Sequence, residues 1–209
     1  MALLYEDDFE NGLDRWQVEQ QPGGTVQVRD GKLVIEDAGG CTVWFRQKFK
    51  APVLVEFDAT LIKAGGKHDR VSDLNSFIMA VDPNNEDLLA GGEKRGGKFG
   101  RYNALRLYYV GYGGHDNTKV RFRRYVGDGS KPLLPEHDLN GSNKPNVTRR
   151  VQIIVADGTY QYWIDGERVY HVSDDEPYTQ GWFALRTVKN HMLVDRFRVW
   201  RVERDEAAD

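Results

Sequence analysis

Along this chain apolar and polar positions alternate over short stretches far more than they recur at helical spacing. The segments Gly24–Arg29, Lys32–Glu36, Cys41–Phe49, Val53–Ile62, Ser76–Val81, Asn103–Val110, Lys119–Val126, Arg149–Ala156, Tyr160–Ile164, Glu167–Val172, Gly181–Val188 and Leu193–Val202 are rich in β-branched and aromatic residues. Most of them carry the period-two signature of strands. About a dozen strands suffice for two stacked sheets, so the expected class is all-β, an antiparallel two-sheet sandwich. Between them, Asp30-Gly31, Asp157-Gly158 and Asp165-Gly166 can supply the positive φ of tight hairpins. The long irregular stretches are Lys63–Asn75, Asp82–Arg101 and Gly127–Asn146, and loops of that length in a compact domain are functional or mobile. No fixed-period repeat or low-complexity linker divides the chain. A single domain over 1–202 with a frayed tail at 203–209 is therefore expected.

Alternation also sorts side chains by face. With Leu105 and Leu107 turned to the core, Arg106 and Tyr108 point outward. With Val120 and Phe122 inward, Arg121, Arg123 and Tyr125 point outward, and with Phe183 and Leu185 inward, Trp182 and Arg186 do the same. If these strands share a sheet, one face interleaves four arginines with three aromatic rings. Rings cover the apolar C–H faces of sugars, and guanidinium groups hold carboxylates in bidentate pairs. The expected partner is an acidic oligo- or polysaccharide. A solvated face whose arginines pair with neighbouring acids is the plainer reading, and the number of arginines and rings together favours a site.

Gly111-Tyr112-Gly113-Gly114-His115-Asp116-Asn117-Thr118 joins two of these strands, and its glycines let backbone approach a ligand. His115 is the candidate general base or acid, with Tyr109 or Tyr112 as partner and Arg123 stabilising charge on a uronate. His68, His137 and His171 show no metal-ligand spacing.

Composition narrows the partners further. A formal net charge of -3 gives no global reason to expect nucleic acid. No run approaches the roughly 20 apolar residues of a membrane helix. The single cysteine, Cys41, excludes an intramolecular disulfide and a Cys-based zinc site. The start, Met1 to Phe9, is too short in apolar residues for a signal peptide, so a periplasmic or secreted location requires a trimmed leader and a cytoplasmic one does not. Asn146-Val147-Thr148 fits a glycosylation acceptor, a pattern frequent by chance.

The stretch Tyr102-Asn103-Ala104-Leu105-Arg106-Leu107-Tyr108-Tyr109, then Arg121-Phe122-Arg123-Arg124-Tyr125, Gly181-Trp182-Phe183-Ala184-Leu185-Arg186-Thr187 and Asp195-Arg196-Phe197-Arg198-Val199-Trp200 resembles a bacterial family of concanavalin A-like proteins related to YesU. The genes of that family tend to lie among pectin and polysaccharide-degradation genes. The resemblance implies a concanavalin A-like jelly roll and a carbohydrate substrate class. It also places Asn190 and His191 at the edge of a cleft, His191 as ligand contact or second candidate base. Folds of this kind often hold a structural calcium, for which Asp7, Asp8 and Asp195 are the matching positions; no cofactor is otherwise required.

The last strand is also similar to that of laminarinase-type hydrolases, whose Glu-x-Asp-x-x-Glu motif carries two catalytic carboxylates. Here Glu56-Phe57-Asp58-Ala59-Thr60-Leu61 puts Leu61 where the final Glu belongs, so Glu56 and Asp58 are expected to face solvent. With that pair incomplete and arginines abundant, the leading expectation is a lyase-type enzyme cleaving an acidic glycan. Alternatives are a non-catalytic, lectin-like carbohydrate-binding module and a hydrolase or lyase for oxidised (keto) disaccharides.

Overall fold

A computed structural model of the chain describes residues 1–134 and 143–203. Its strands in chain order are β1 (Ala2–Asp7), β2 (Trp16–Gln20), β3 (Thr25–Arg29), β4 (Lys32–Glu36), β5 (Cys41–Phe45), β6 (Phe49–Lys50), β7 (Val53–Leu61) and β8 (Leu74–Val81). Then follow β9 (Arg106–Gly113), β10 (Lys119–Val126), β11 (Thr148–Ala156), β12 (Thr159–Ile164), β13 (Glu167–Ser173), β14 (Gln180–Thr187) and β15 (His191–Arg201). They form two antiparallel sheets. The first runs β13-β12-β11-β7-β15-β4-β3 with β1 also on β15, and the second runs β10-β9-β8-β14-β5-β2 with β6 on β14. The jelly-roll sandwich expected from the sequence is the fold.

Each Asp-Gly pair turns as its sequence requires. Asp30 and Gly31 take φ 54° and 64°, Asp157 and Gly158 49° and 72°, Asp165 and Gly166 51° and 81°. These turns set the register of the β3–β4, β11–β12 and β12–β13 hairpins. β1 and β2 fall in segments without a clear strand signal. In β2 the polar Gln17 and Glu19 alternate with Trp16 and Val18, yet Glu19 is buried and Val18 exposed, because a loop covers the outer face at this point. The expected strand Cys41–Phe49 breaks into β5 and β6. All but the first residue of the expected tail lies outside the described residues, as does His137. Among the described residues no helix is long and apolar enough to cross a membrane.

Between the sheets lies an aromatic core. Phe197 packs at 4.9 Å from Trp16 and 4.8 Å from Phe45, and Phe57 and Phe183 pack at 5.8 Å. Each such ring, fully buried, contributes about 1.5–3 kcal/mol. A second apolar cluster sits on the outer face of the second sheet. There Trp44, Phe77, Leu107, Tyr109, Tyr125, Trp182 and Ala184 are roofed by Leu88, Tyr102 and Leu105 of the segment between β8 and β9. β9 therefore buries both faces: Tyr108, Val110 and Tyr112 point between the sheets, and Leu107 and Tyr109 point to the outer cluster.

Glu56 and Asp58 point to the outer face of the first sheet but do not face solvent; they are 6% and 8% exposed. Glu56 accepts from Arg150 at 2.6 Å, Trp200 at 3.0 Å and Gln152 at 3.2 Å, and Asp58 pairs with Arg196. Burial pushes the Glu56 carboxyl up, and the hydrogen bonds from Arg150 and Trp200 outweigh it, leaving the group below the usual carboxylate range. Long arginine side chains cover these carboxylates.

Candidate functional site

Cross-strand register builds the site on the outer face of the second sheet. Arg123 lies opposite Tyr109 and Tyr109 opposite Phe77; two residues along, Arg121 lies opposite Gly111 and Gly111 opposite Asn75. The second row continues through Arg186 and Thr42 to Glu19. Gly111 has a steric role: a Cβ there would lie 2.6 Å from Tyr109 Oη, so the missing side chain lets the tyrosine lean along the sheet.

Three loops wall these rows into a cleft of about 360 Å³. Arg70 and Asp73 come from the β7–β8 connection, Phe99 from the β8–β9 segment and Lys131 from the stretch after β10, with Tyr109, His115, Arg121, Arg123 and Tyr125 on the sheet side. Each of the three long irregular stretches flagged in the sequence thus contributes a wall.

The cleft is cationic. Its one lining carboxylate among the described residues, Asp73, already accepts from Ser72 Oγ at 2.6 Å, Arg70 at 2.9 Å and Asn75 Nδ2 at 3.2 Å. Arg70 also pairs with Asp116 at 2.6 Å, and Arg123 donates to the Lys131 carbonyl at 2.8 Å. Arg121 Nη1 lies 3.3 Å from His115 Nε2; a guanidinium only donates, so this ring nitrogen accepts. Burial, and then the Arg123 charge, lower the Lys131 ammonium below its ordinary value. Burial raises the Tyr109 phenol well above the usual range and the Tyr125 phenol to about 12, against the pull of Arg123 and Arg186 on the latter. Two buried lining atoms, Asn75 Oδ1 and Tyr125 Oη, have no hydrogen-bond partner among the described residues. A buried unsatisfied polar atom costs about 1–3 kcal/mol, which a ligand's polar groups can recover.

Of the expected residues, Tyr109, His115, Arg121, Arg123 and Tyr125 come together here. Tyr112 does not; it is a core residue, its ring 5.9 Å from that of Tyr162. Tyr108 is also in the core and donates to Asp174. Arg106 shares the parity of Tyr108, is exposed at the start of β9 and does not line the cleft. The face assignment for this strand is reversed because apolar residues occupy both sides of β9, leaving alternation nothing to discriminate. Arg186 and Trp182 do point to the outer face, but beneath the roof. Arg186 is fully buried, donating to Thr42 Oγ1 at 3.0 Å and the Gly97 carbonyl at 2.7 Å. Trp182 is 8% exposed and has Lys48 Nζ 5.0 Å from its ring centroid.

Asn190 is buried and donates to the Ser72 carbonyl at 2.7 Å. His191 begins β15 in the other sheet and contacts Asp69 at 2.9 Å. Neither lines the cleft. They anchor the loop that carries Arg70 and Asp73.

The carboxylates matched to calcium do not gather into a donor set. Asp7 accepts from the Trp16 indole at 2.8 Å and the Phe9 amide at 2.8 Å, Asp8 from the Glu10 amide at 3.2 Å, and Asp195 from Lys32 at 2.6 Å. No group of three or more metal-type side chains forms among the described residues. Sequence reasoning did not single out Arg70, Asp73, Asn75, Phe99 and Lys131. Four of them sit in loops or at a loop's edge, where no period assigns a face; the signal available was the length and polarity of the loops.

A family model described as "Domain of unknown function (DUF6250)" matches residues 35–197. The chain belongs to that family. No curated protein matches it. Among solved structures it is similar to a protein of unknown function with a galectin-like fold from Bacillus subtilis, with a TM-score of 0.79, 19% identity and 98% of each chain covered. It is also similar to the carbohydrate-binding module CBM66 from Bacillus subtilis, with a TM-score of 0.59, 11% identity and 88% of this chain and 94% of that one covered. A third is the endo-beta-1,3-glucanase from Pyrococcus furiosus, with a TM-score of 0.61, 14% identity and 95% and 94% covered. At these identities the likeness is one of fold.

Proposed function

We propose that the chain acts on an acidic, uronate-containing glycan held in the cleft between Arg121, Arg123, Tyr109 and Phe99, and that it cleaves the glycan by elimination. The observation that carries this reading is the convergence of Arg121, Arg123 and Lys131 with two tyrosines around buried Asn75 Oδ1 and Tyr125 Oη, which have no hydrogen-bond partner among the described residues. The carbohydrate-binding and glucan-cleaving proteins of the same fold, together with the sequence resemblance to YesU-related proteins, support the substrate class.

The reaction type follows from the inventory of the cleft. Hydrolysis by a carboxylate pair requires two carboxyl groups flanking the bond. Among the described residues the cleft offers Asp73 alone, already triply hydrogen-bonded, and Glu56 and Asp58 lie on the other sheet under arginines. Elimination needs a cation on the uronate carboxylate, a base for the proton α to it and an acid for the leaving oxygen. Arg121 and Arg123 neutralise the carboxylate, which stabilises the carbanion-like charge that develops beside it. His115 Nε2 takes the α proton. The electron pair forms the C=C bond as the glycosidic C–O bond breaks, and the departing oxygen receives a proton from Tyr109.

A non-catalytic binding module is the second reading, favoured by the exposure of His115 on a turn where residues 115–117 all have positive φ. Ultraviolet absorbance of the unsaturated product, followed on uronate polymers with the wild type, Tyr109→Phe and His115→Ala, separates the two. Product from the wild type and a drop of ~10²–10⁴-fold in the variants are expected for a lyase. Glycan binding with no product from the wild type would establish the binding module instead.

A further inference from the structure

A second groove lies beside the cleft wall at Lys131. Lys131 Nζ donates to Asn103 Oδ1 at 3.0 Å, and Asn103 lines this groove of about 540 Å³ between the 94–104 segment and the turn at 127–129. This hydrogen bond links a residue of the cleft wall to a residue of the groove wall. Both depressions are built from the same two chain segments: Phe99 and Lys131 face the first, while Gly100, Arg101 and Gly129 face the second.

Two features suit the second groove to a sugar chain. Gly100, Gly127 and Gly129 line it, and a Cβ at Gly100 or Gly129 would meet nothing within 4 Å, so a ligand can lie against the main chain there. Its charge is that of the first cleft. Lys94 and Arg101 are exposed and have no carboxylate partner among the described residues; Arg101 donates to the Lys94 carbonyl at 2.5 Å. Arg95 is engaged by Glu19 at 2.6 Å. The one lining acid among the described residues, Asp128, is turned to the Ser130 amide at 2.8 Å.

We infer that the two grooves form one continuous track for an extended polyuronate, with the Lys131–Asn103 hydrogen bond as the saddle between them. This inference rests on the acidic-glycan reading of the first cleft and adds that the ligand is a polymer or long oligomer. Carboxylates on sugars several units apart meet Arg121 and Arg123 at one end and Lys94 and Arg101 at the other, so occupation of the second groove follows occupation of the first at high effective concentration.

Titration calorimetry with a uronate disaccharide and hexasaccharide tests it on the wild-type chain and on a Lys94→Ser, Arg101→Ser double variant. The wild type is expected to bind the hexasaccharide at least about tenfold tighter than the disaccharide, and the double variant to lose most of that gain. Equal affinity for both lengths, or a gain that survives in the double variant, overturns the continuous track while disaccharide binding upholds the first cleft. Failure of both oligosaccharides to bind the wild type overturns the acidic-glycan reading along with it.

Discussion

The outer face of the second sheet has two halves that are alike in sequence and opposite in use. Arg121, in β10, and Arg186, in β14, stand in one cross-strand row of that face. Arg121 lines an open cleft. Arg186 is sealed under the β8–β9 segment, 5.0 Å from the Phe99 ring centroid and bonded to the Gly97 carbonyl. The covering segment is itself latched. Arg95 grips Glu19 at 2.6 and 3.0 Å, and the Tyr102 hydroxyl donates to the same carboxylate at 2.6 Å. An arginine on this face therefore serves recognition or stability according to whether the segment covers it, and Phe99 at the edge of the cover becomes a wall of the cleft.

The contrast breaks most readily at its latch. Glu19→Ala leaves Arg95 buried without its counter-charge, and a stability loss of ~3–5 kcal/mol is expected in denaturant unfolding. Should the loss be under about 1 kcal/mol, the covered half is not held by this pair. Next in size, Arg186→Ala removes a fully buried side chain and two hydrogen bonds, costing about 2–4 kcal/mol in the same assay. Arg123→Ala is expected to do the converse. It should lower uronate affinity by ~10- to 100-fold while moving the unfolding midpoint little. Equal stability costs for the two arginines would erase the distinction between the halves.

Alkaline pH sharpens the comparison through the tyrosines. Burial raises Tyr125 in the cleft, and Tyr108 in the core, to about 12. In the folded chain these phenols hold their protons more tightly than in the unfolded one, so their stabilisation is complete below the ordinary tyrosine value of 10. It is lost as pH rises from there through about 12. Stability measured across that window should fall, with phenolate absorbance from these residues displaced to higher pH than in the unfolded chain. The smallest effect belongs to His115→Ala. The side chain is exposed, and a change within about 0.5 kcal/mol in stability is expected even if turnover is abolished.

Much of this was legible in the residues themselves. Strand segments, the three Asp-Gly hairpins and the sandwich class follow from short-range physics: alternation, β-branching and the left-handed backbone that Asp-Gly tolerates. Arg121, Arg123 and Tyr125 lie on the outer face of β10, as alternation with Val120 and Phe122 gives, although Tyr125 is fully buried there. In β9 period two has two solutions. Leu107 and Tyr108 are adjacent and both fully buried, and only the second apolar layer, which gathers residues from Trp44 to Ala184, decides that Tyr109 rather than Tyr108 meets the cleft. The same layer takes Arg186 and Trp182 out of reach. Local pattern fixes which residues can be buried; which sheet or loop buries them depends on contacts distant in the chain, and the tertiary structure alone supplied those.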